Sequence, residues 1–204
     1  MSVFAPLLAP AFTLWESPVT WLEIVAFVLA VWMVVCTMRV NPLAWPLAII
    51  SSLAYLILFA NSKLYGEAGL QVVFALVALW GWWQWLRGTQ ADGRKLEVRW
   101  LTLRARTLLA AATLLAWPLL GLFLDRATDS DVPYWDAFPT TASLAGQWLL
   151  GRKYVENWPV WVVVNVVSVG LFAWKGLWLT VLLYALFTVM ALAGWRAWTR
   201  LARP

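Results

Sequence analysis

Apolar residues fill this chain in seven long runs, near residues 19–38, 44–60, 67–86, 105–124, 135–151, 158–174 and 177–197, with charged residues gathered between them. A helix rises about 1.5 Å per residue, so roughly 20 such residues cross the ~30 Å hydrocarbon core of a bilayer. Each run is therefore predicted to be a spanning helix. The fifth is the weakest, since Pro139, Thr140, Thr141, Ser143 and Gln147 lower its hydropathy. Such a segment is tolerated only where its polar side faces other helices or a cavity.

The sixth run carries a second pattern inside the apolar one. Trp158, Trp161, Asn165, Ser168 and Phe172 are spaced 3, 4, 3 and 4 apart, which lines them up along one side of a helix. The background is Val, Gly, Leu and Ala. Two readings compete. Ser and Asn hydrogen-bond neighbouring helices in membranes, which makes the stripe a packing seam; alternatively, two indoles, an amide and a hydroxyl in line form one wall of a ligand site.

Motifs recur between the two halves. Asn41-Pro-Leu-Ala-Trp45 resembles Asn157-Trp-Pro-Val-Trp161, and Gly81-Trp82-x-x-Trp85 resembles Gly194-Trp195-x-x-Trp198. Trp32 and Trp148 each precede their Asn by nine residues; Tyr65 aligns with Trp178 and Gln71 with Tyr184. The predicted architecture is all-α and polytopic: three helices (19–87), a segment with a cytoplasmic loop, linker helix and outer loop (88–134), and three helices again (135–198). An odd number of spans separates the halves, so this 3+1+3 parallel repeat places a pseudo-twofold axis along the membrane normal, with the site between halves. On the N-x-x-x-W anchors Trp45 answers Trp161, Ser52 answers Ser168, and Ile49 stands opposite Asn165.

Composition supports the class. Only 12% of the 204 residues are charged, about half the usual share, and 63% are apolar. No basic leader with a cleavage site opens the chain, so no removable signal peptide is expected. Without His and with Cys36 as the single cysteine, metal ligands are scarce, an internal disulfide is impossible, and no cofactor is expected. The net charge of +5 reflects topology rather than nucleic-acid binding. Lys63, Arg126 and Lys175 fall on one side with the N-terminus, and the other 12 basic residues fall on the opposite side. The positive-inside rule then puts the N-terminus outside and the C-terminus in the cytoplasm.

The polar inventory limits the chemistry. Glu23 and Asp136 sit at span starts, and no carboxylate lies deep in a span, so ion coupling has no obvious titratable group. No Arg or Lys is placed inside a span to neutralise a phosphate. An uncoupled carrier of a flat, unphosphorylated, neutral or cationic solute is the simplest reading. Trp45, Trp158 and Trp161 offer stacking faces. Asn165 and Gln71 can both donate to and accept from a carboxamide, and Ser52, Ser168, Thr141 and Gln147 can reach sugar hydroxyls. Trp15, Trp21, Trp85, Trp100, Trp117, Trp178 and Trp198 are expected in the interfacial belt. Pro46 and Pro139 are hinge candidates, while Pro159 only starts its helix. An enzyme is not expected, since no activated nucleophile or paired acids are present.

These residues resemble the PnuC family of vitamin transporters, in particular its nicotinamide riboside carriers. The resemblance covers residues 19–198. It rests on W-x-x-W-x-x-x-N at Trp158, Trp161 and Asn165, on Y-G-E-A-G-L-Q at 65–71 running into W-G-W-W-Q-W at 80–85, and on Lys175-Gly176. It implies a SWEET-like fold in the inner membrane of a bacterium, a homotrimer, and facilitated diffusion of nicotinamide riboside trapped by a cytoplasmic riboside kinase. It also implies that Trp158, Trp161 and Asn165 belong to the binding motif. Thiamine or riboflavin as the solute, and a non-transporting receptor or scaffold, remain as alternatives.

Overall fold

The computed structural model describes residues 9–14, 17–61, 65–90, 92–128, 132–174 and 178–202. Trp15, Lys63, Asp129, Asp131, Lys175, Gly176 and Arg203 lie outside these residues, as do the side chains of Tyr65 and Trp178. Seven helices run through the described chain: α1 Trp21–Met38, α2 Ala44–Asn61, α3 Tyr65–Arg87, α4 Leu103–Ala127, α5 Pro133–Gly151, α6 Asn157–Trp174 and α7 Trp178–Leu201. Each of the seven apolar runs holds one of these helices. Five segments are long and apolar enough to cross a membrane: α1, Gly69–Arg87, α4, α6 and Val181–Leu201. The apolar stretch described in α2, Ala44–Ile57, is shorter. α5 is not among the five, as its polar residues led one to expect.

An element with no signal in the apolar pattern precedes α1. Strands β1 (Pro10–Leu14) and β2 (Ser17–Thr20) pair as an antiparallel hairpin. Thr20 then caps α1: its hydroxyl accepts from Glu23 N at 3.2 Å while the Glu23 carboxylate accepts from Thr20 N at 2.6 Å. This reciprocal box satisfies two donors that a helix start leaves open. Glu23 is thus consumed by local structure.

The chain forms two compact units, residues 1–87 and 88–204. In the first, α2 packs against both α1 and α3. Ala26 of α1 lies in a buried cluster with Leu22 and Ala54, and its carbonyl lies 3.5 Å from the Ser51 hydroxyl of α2. In the second, α4 packs on α5, α5 on α6, and α6 on α7.

One local arrangement occurs in both units. Trp45 of α2 occupies the space over Gly81 of α3 and meets Trp85 edge-on, with ring centroids 5.5 Å apart. Trp158 of α6 occupies the space over Gly194 of α7 and meets Trp198 edge-on at 5.6 Å. The turns before these tryptophans match as well. Val40 and Lys153 both have positive φ, 53° and 57°. Asn41 N donates to Cys36 O and Tyr154 N to Leu149 O, each at 2.9 Å. Every counterpart lies 113 residues on, as 40 to 153, 45 to 158 and 81 to 194.

This corrects the register read from the N-x-x-x-W motifs. Asn41 is a turn residue whose side-chain oxygen accepts from Leu43 N at 3.0 Å, whereas Asn157 opens α6 and donates to Tyr154 O at 2.6 Å. The two asparagines are not equivalent. At an offset of 113, Trp45 answers Trp158, Ser52 answers Asn165, and Ala48 stands where Trp161 does. Pro46 likewise answers Pro159. Both lie in the first turn of a helix, where an absent N–H costs little, so Pro46 is a helix starter rather than a hinge. Pro139 does lie inside α5.

The belt assignment also changes for two tryptophans. Trp21 and Trp100 are exposed, but Trp85 and Trp198 are core residues, Trp198 with no exposed surface. Each has a tryptophan from the neighbouring helix packed on it, and that contact, not the bilayer interface, explains the position.

Candidate functional site

The stripe on α6 divides between two neighbours. Trp158, 2% exposed, is enclosed by Gly194 and Trp198 of α7, and its indole N–H is buried without a partner. Phe172 meets Tyr184 of α7, with ring centroids 5.2 Å apart. Trp161 turns the other way. A β-carbon on Gly146 of α5 would lie 3.3 Å from Trp161 Cε2, so the absence of a side chain at Gly146 leaves room for this indole. Trp161 is only partly buried, and of the two motif tryptophans it is the one with ring surface still available.

Asn165 and Ser168 lie one and two turns beyond Trp161, both buried. On α5, beside Gly146, the Gln147 side-chain oxygen is buried without a partner. A buried amide without a partner costs free energy unless something supplies one. α6 thus carries a partly buried indole with a buried amide one turn beyond it, and α5 carries a buried acceptor next in sequence to the glycine on which that indole packs.

Thr141 contributes less than its type suggested. It is buried, and its hydroxyl lies 2.9 Å from Ala137 O and 3.1 Å from Phe138 O, so its only proton is committed to its own helix. It retains accepting capacity alone. In the first unit, Trp45 is buried with its N–H unpartnered and serves packing on α3, as Trp158 does on α7. Ser52 and Gln71 are half-buried on α2 and α3. An open apolar notch of about 260 Å³ lies at Trp135, Val166, Gly170 and Trp174. Its lining pairs the two tryptophans with Val, Gly and Leu and offers no amide to read a carboxamide in both directions.

One group of residues had no sequence signal at all. Lys153 and Val155, between α5 and α6, exchange backbone bonds with Arg99 in the segment before α4: Arg99 N donates to Lys153 O at 3.1 Å and Val155 N to Arg99 O at 3.0 Å. The Glu156 carboxylate accepts from Leu101 N at 3.1 Å and pairs with Arg106 Nε at 2.7 Å. Lys153 donates to Leu96 O at 3.1 Å. Burial there holds its ammonium below the usual lysine range, against a weaker opposing pull from Glu97. These contacts join residues 50 or more apart, and no short motif encodes them.

Comparison with known proteins gives the family. Residues 20–200 match the family model described as nicotinamide mononucleotide transporter. A nicotinamide riboside transporter PnuC of Escherichia coli is 32% identical, with 72% of this chain and 72% of the relative covered. The riboflavin/roseoflavin transporter RibM of Streptomyces davaonensis is 31% identical, with 92% and 89% covered. The crystal structure of the vitamin B3 transporter PnuC is similar with a TM-score of 0.73 at 26% identity, over 89% of this chain and 81% of that one. These relatives are transporters rather than enzymes, and this chain belongs to the PnuC family of membrane vitamin transporters.

Proposed function

We propose that the chain imports nicotinamide riboside by uncoupled facilitated diffusion through alternating access, with phosphorylation by a cytoplasmic riboside kinase keeping the inside concentration low. The observation that carries this reading is the pairing of Trp161 and Asn165 on α6: a partly buried indole with a buried amide one turn beyond it. The cationic pyridinium ring of the riboside stacks on Trp161. Asn165 reads its carboxamide, and Ser168 and Gln147 meet the ribose. The family description speaks of a mononucleotide, whereas the relatives' names speak of a riboside. The riboside is favoured because every described arginine and lysine lies in a loop or within two turns of a helix end, leaving no cation at mid-span for a phosphate among the described residues.

The wider reading is a 3+1+3 SWEET-like carrier in the inner membrane of a bacterium, assembled as a homotrimer, N-terminus outside. Its helical bundles span 19–87 and 135–198, with 88–134 as the segment between them in sequence. The 113-residue recurrence of the Trp-on-Gly contact supports a repeat. It also makes the site asymmetric, because Ala48 and Ser52 stand where Trp161 and Asn165 do. An asymmetric site fits a solute with a base at one end and a sugar at the other.

A flavin is the second reading, favoured by the 31% identity to RibM over nearly the full length of both chains. Calorimetric titration of the purified protein with nicotinamide riboside, riboflavin and thiamine separates the two. Binding of the riboside alone supports the proposal; binding of a flavin in its place overturns it. A non-transporting receptor or scaffold would bind without carrying the solute across a bilayer.

A further inference from the structure

We propose that Glu156 is a positioning residue for the solute site: with Arg106 and Leu101 N it forms a clasp that holds the first turn of α6, and so sets where Trp161 and Asn165 stand. This rests on the function proposed above for those two residues.

Glu156 is the residue immediately before α6, and its side chain is only 15% exposed. Its carboxylate lies 3.1 Å from Leu101 N, two residues before α4, and 2.7 Å from Arg106 Nε in the first turn of α4. One negative charge therefore sits at the start of two helices, where the open N–H groups favour an anion. Arg106 is steadied from its other side, with its guanidinium carbon 5.4 Å from the Trp100 ring centroid. The two backbone bonds between Arg99 and the pair Lys153 and Val155 run beside the clasp and fix the approach. Tyr154 adds its hydroxyl, 3.0 Å from an Arg99 guanidinium nitrogen.

The equivalent turn in the first unit has no such fastening. Leu43 stands where Glu156 does and is 55% exposed. The turn before α2 is held by its own bonds, Val40 N to Thr37 O, Asn41 N to Cys36 O and Leu43 N to the Asn41 side chain. Those bonds suffice to form the turn, since the matching backbone bonds also form it before α6. The clasp is therefore additional to what the turn needs. It occurs on the helix that carries Trp161 and Asn165, and Trp161 is only five residues beyond Glu156. A small movement at the clasp would displace the indole first.

The test compares Glu156→Ala, Glu156→Gln and Arg106→Ala with the wild-type full chain in lipid nanodiscs. Amide hydrogen exchange at residues 157–161 and calorimetric affinity for nicotinamide riboside are both measured, with thermal unfolding followed in parallel. Glu156→Ala should speed exchange at 157–161 and weaken affinity about tenfold, the scale of one charge-assisted hydrogen bond. Glu156→Gln, which can still accept from Leu101 N, should fall between it and the wild type. The double variant Glu156→Ala with Arg106→Ala should be no worse than Glu156→Ala alone. A variant that unfolds earlier yet binds with wild-type affinity would show a merely structural clasp and overturn the proposal. So would unchanged exchange at 157–161. If the wild type binds no riboside, the function proposed above fails, and the exchange result alone decides whether Glu156 holds α6.

Discussion

The six-membered ring of Trp158 fills the space that a β-carbon on Gly194 would take. Glycine at this position is thus a packing requirement between α6 and α7, and Gly81 meets the same requirement beneath Trp45. Gly194→Ala and Gly81→Ala should each lower stability by about 1–3 kcal/mol, because the opposing atoms belong to a rigid buried ring. Thermal unfolding in detergent measures this. A loss within experimental error would mean that the helices separate without cost.

The two motif tryptophans should differ in what they lose. Trp158→Ala empties an enclosed position and should destabilise by about 3–5 kcal/mol. Trp161→Ala should leave the fold nearer to wild type and weaken solute binding by about 1–2 kcal/mol. Paired unfolding and titration experiments check both. Equal loss of stability in the two variants would contradict the division of the stripe between α5 and α7.

Asn165→Leu should abolish most binding while costing the fold little, since it replaces a buried amide with an apolar group of similar size. Ser168→Ala should weaken binding less than Asn165→Leu. Titration of both variants gives the order directly, and the reverse order would move the polar reader to Ser168.

Lys153 makes stability depend on pH in a definite direction. Burial places its folded-state pKa below 10.5, its ordinary value. Between those two values the unfolded chain binds more protons, so folding gains as pH rises, with the gain complete above 10.5 and lost as pH falls through the folded pKa. Lys153→Asn removes the titration and tolerates the positive φ of 57°. The stability difference, wild type minus variant, should grow as pH is raised toward 10.5, as read by thermal unfolding. A difference independent of pH would contradict this.

Helix number and approximate bounds were legible because apolar runs of spanning length are interrupted by charged loops. The polar character of α5 was legible for the same reason. Register between halves was legible in the closing G-W-x-x-W motifs, at an offset of 113, but not in the opening N-x-x-x-W motifs, because Asn41 and Asn157 share a residue type but not a conformation. The correct alignment is printed in Trp45-Pro46 and Trp158-Pro159, two dipeptides 113 residues apart. The role of Trp158 was hidden since helical spacing puts it on a stripe without saying which neighbour that part of the stripe meets. Trp85 and Trp198 misled because a tryptophan near a helix end looks interfacial until its packing partner is known. Glu156, Arg106 and Leu101 are joined only by the folded chain, across 55 residues in the case of Leu101.

The most direct test is uptake of labelled nicotinamide riboside into proteoliposomes without any ion gradient, with and without a riboside kinase and ATP inside. Equilibration without the kinase and accumulation with it is the result expected of an uncoupled carrier. Accumulation that requires a proton or sodium gradient, or transport of riboflavin with none of the riboside, would contradict it.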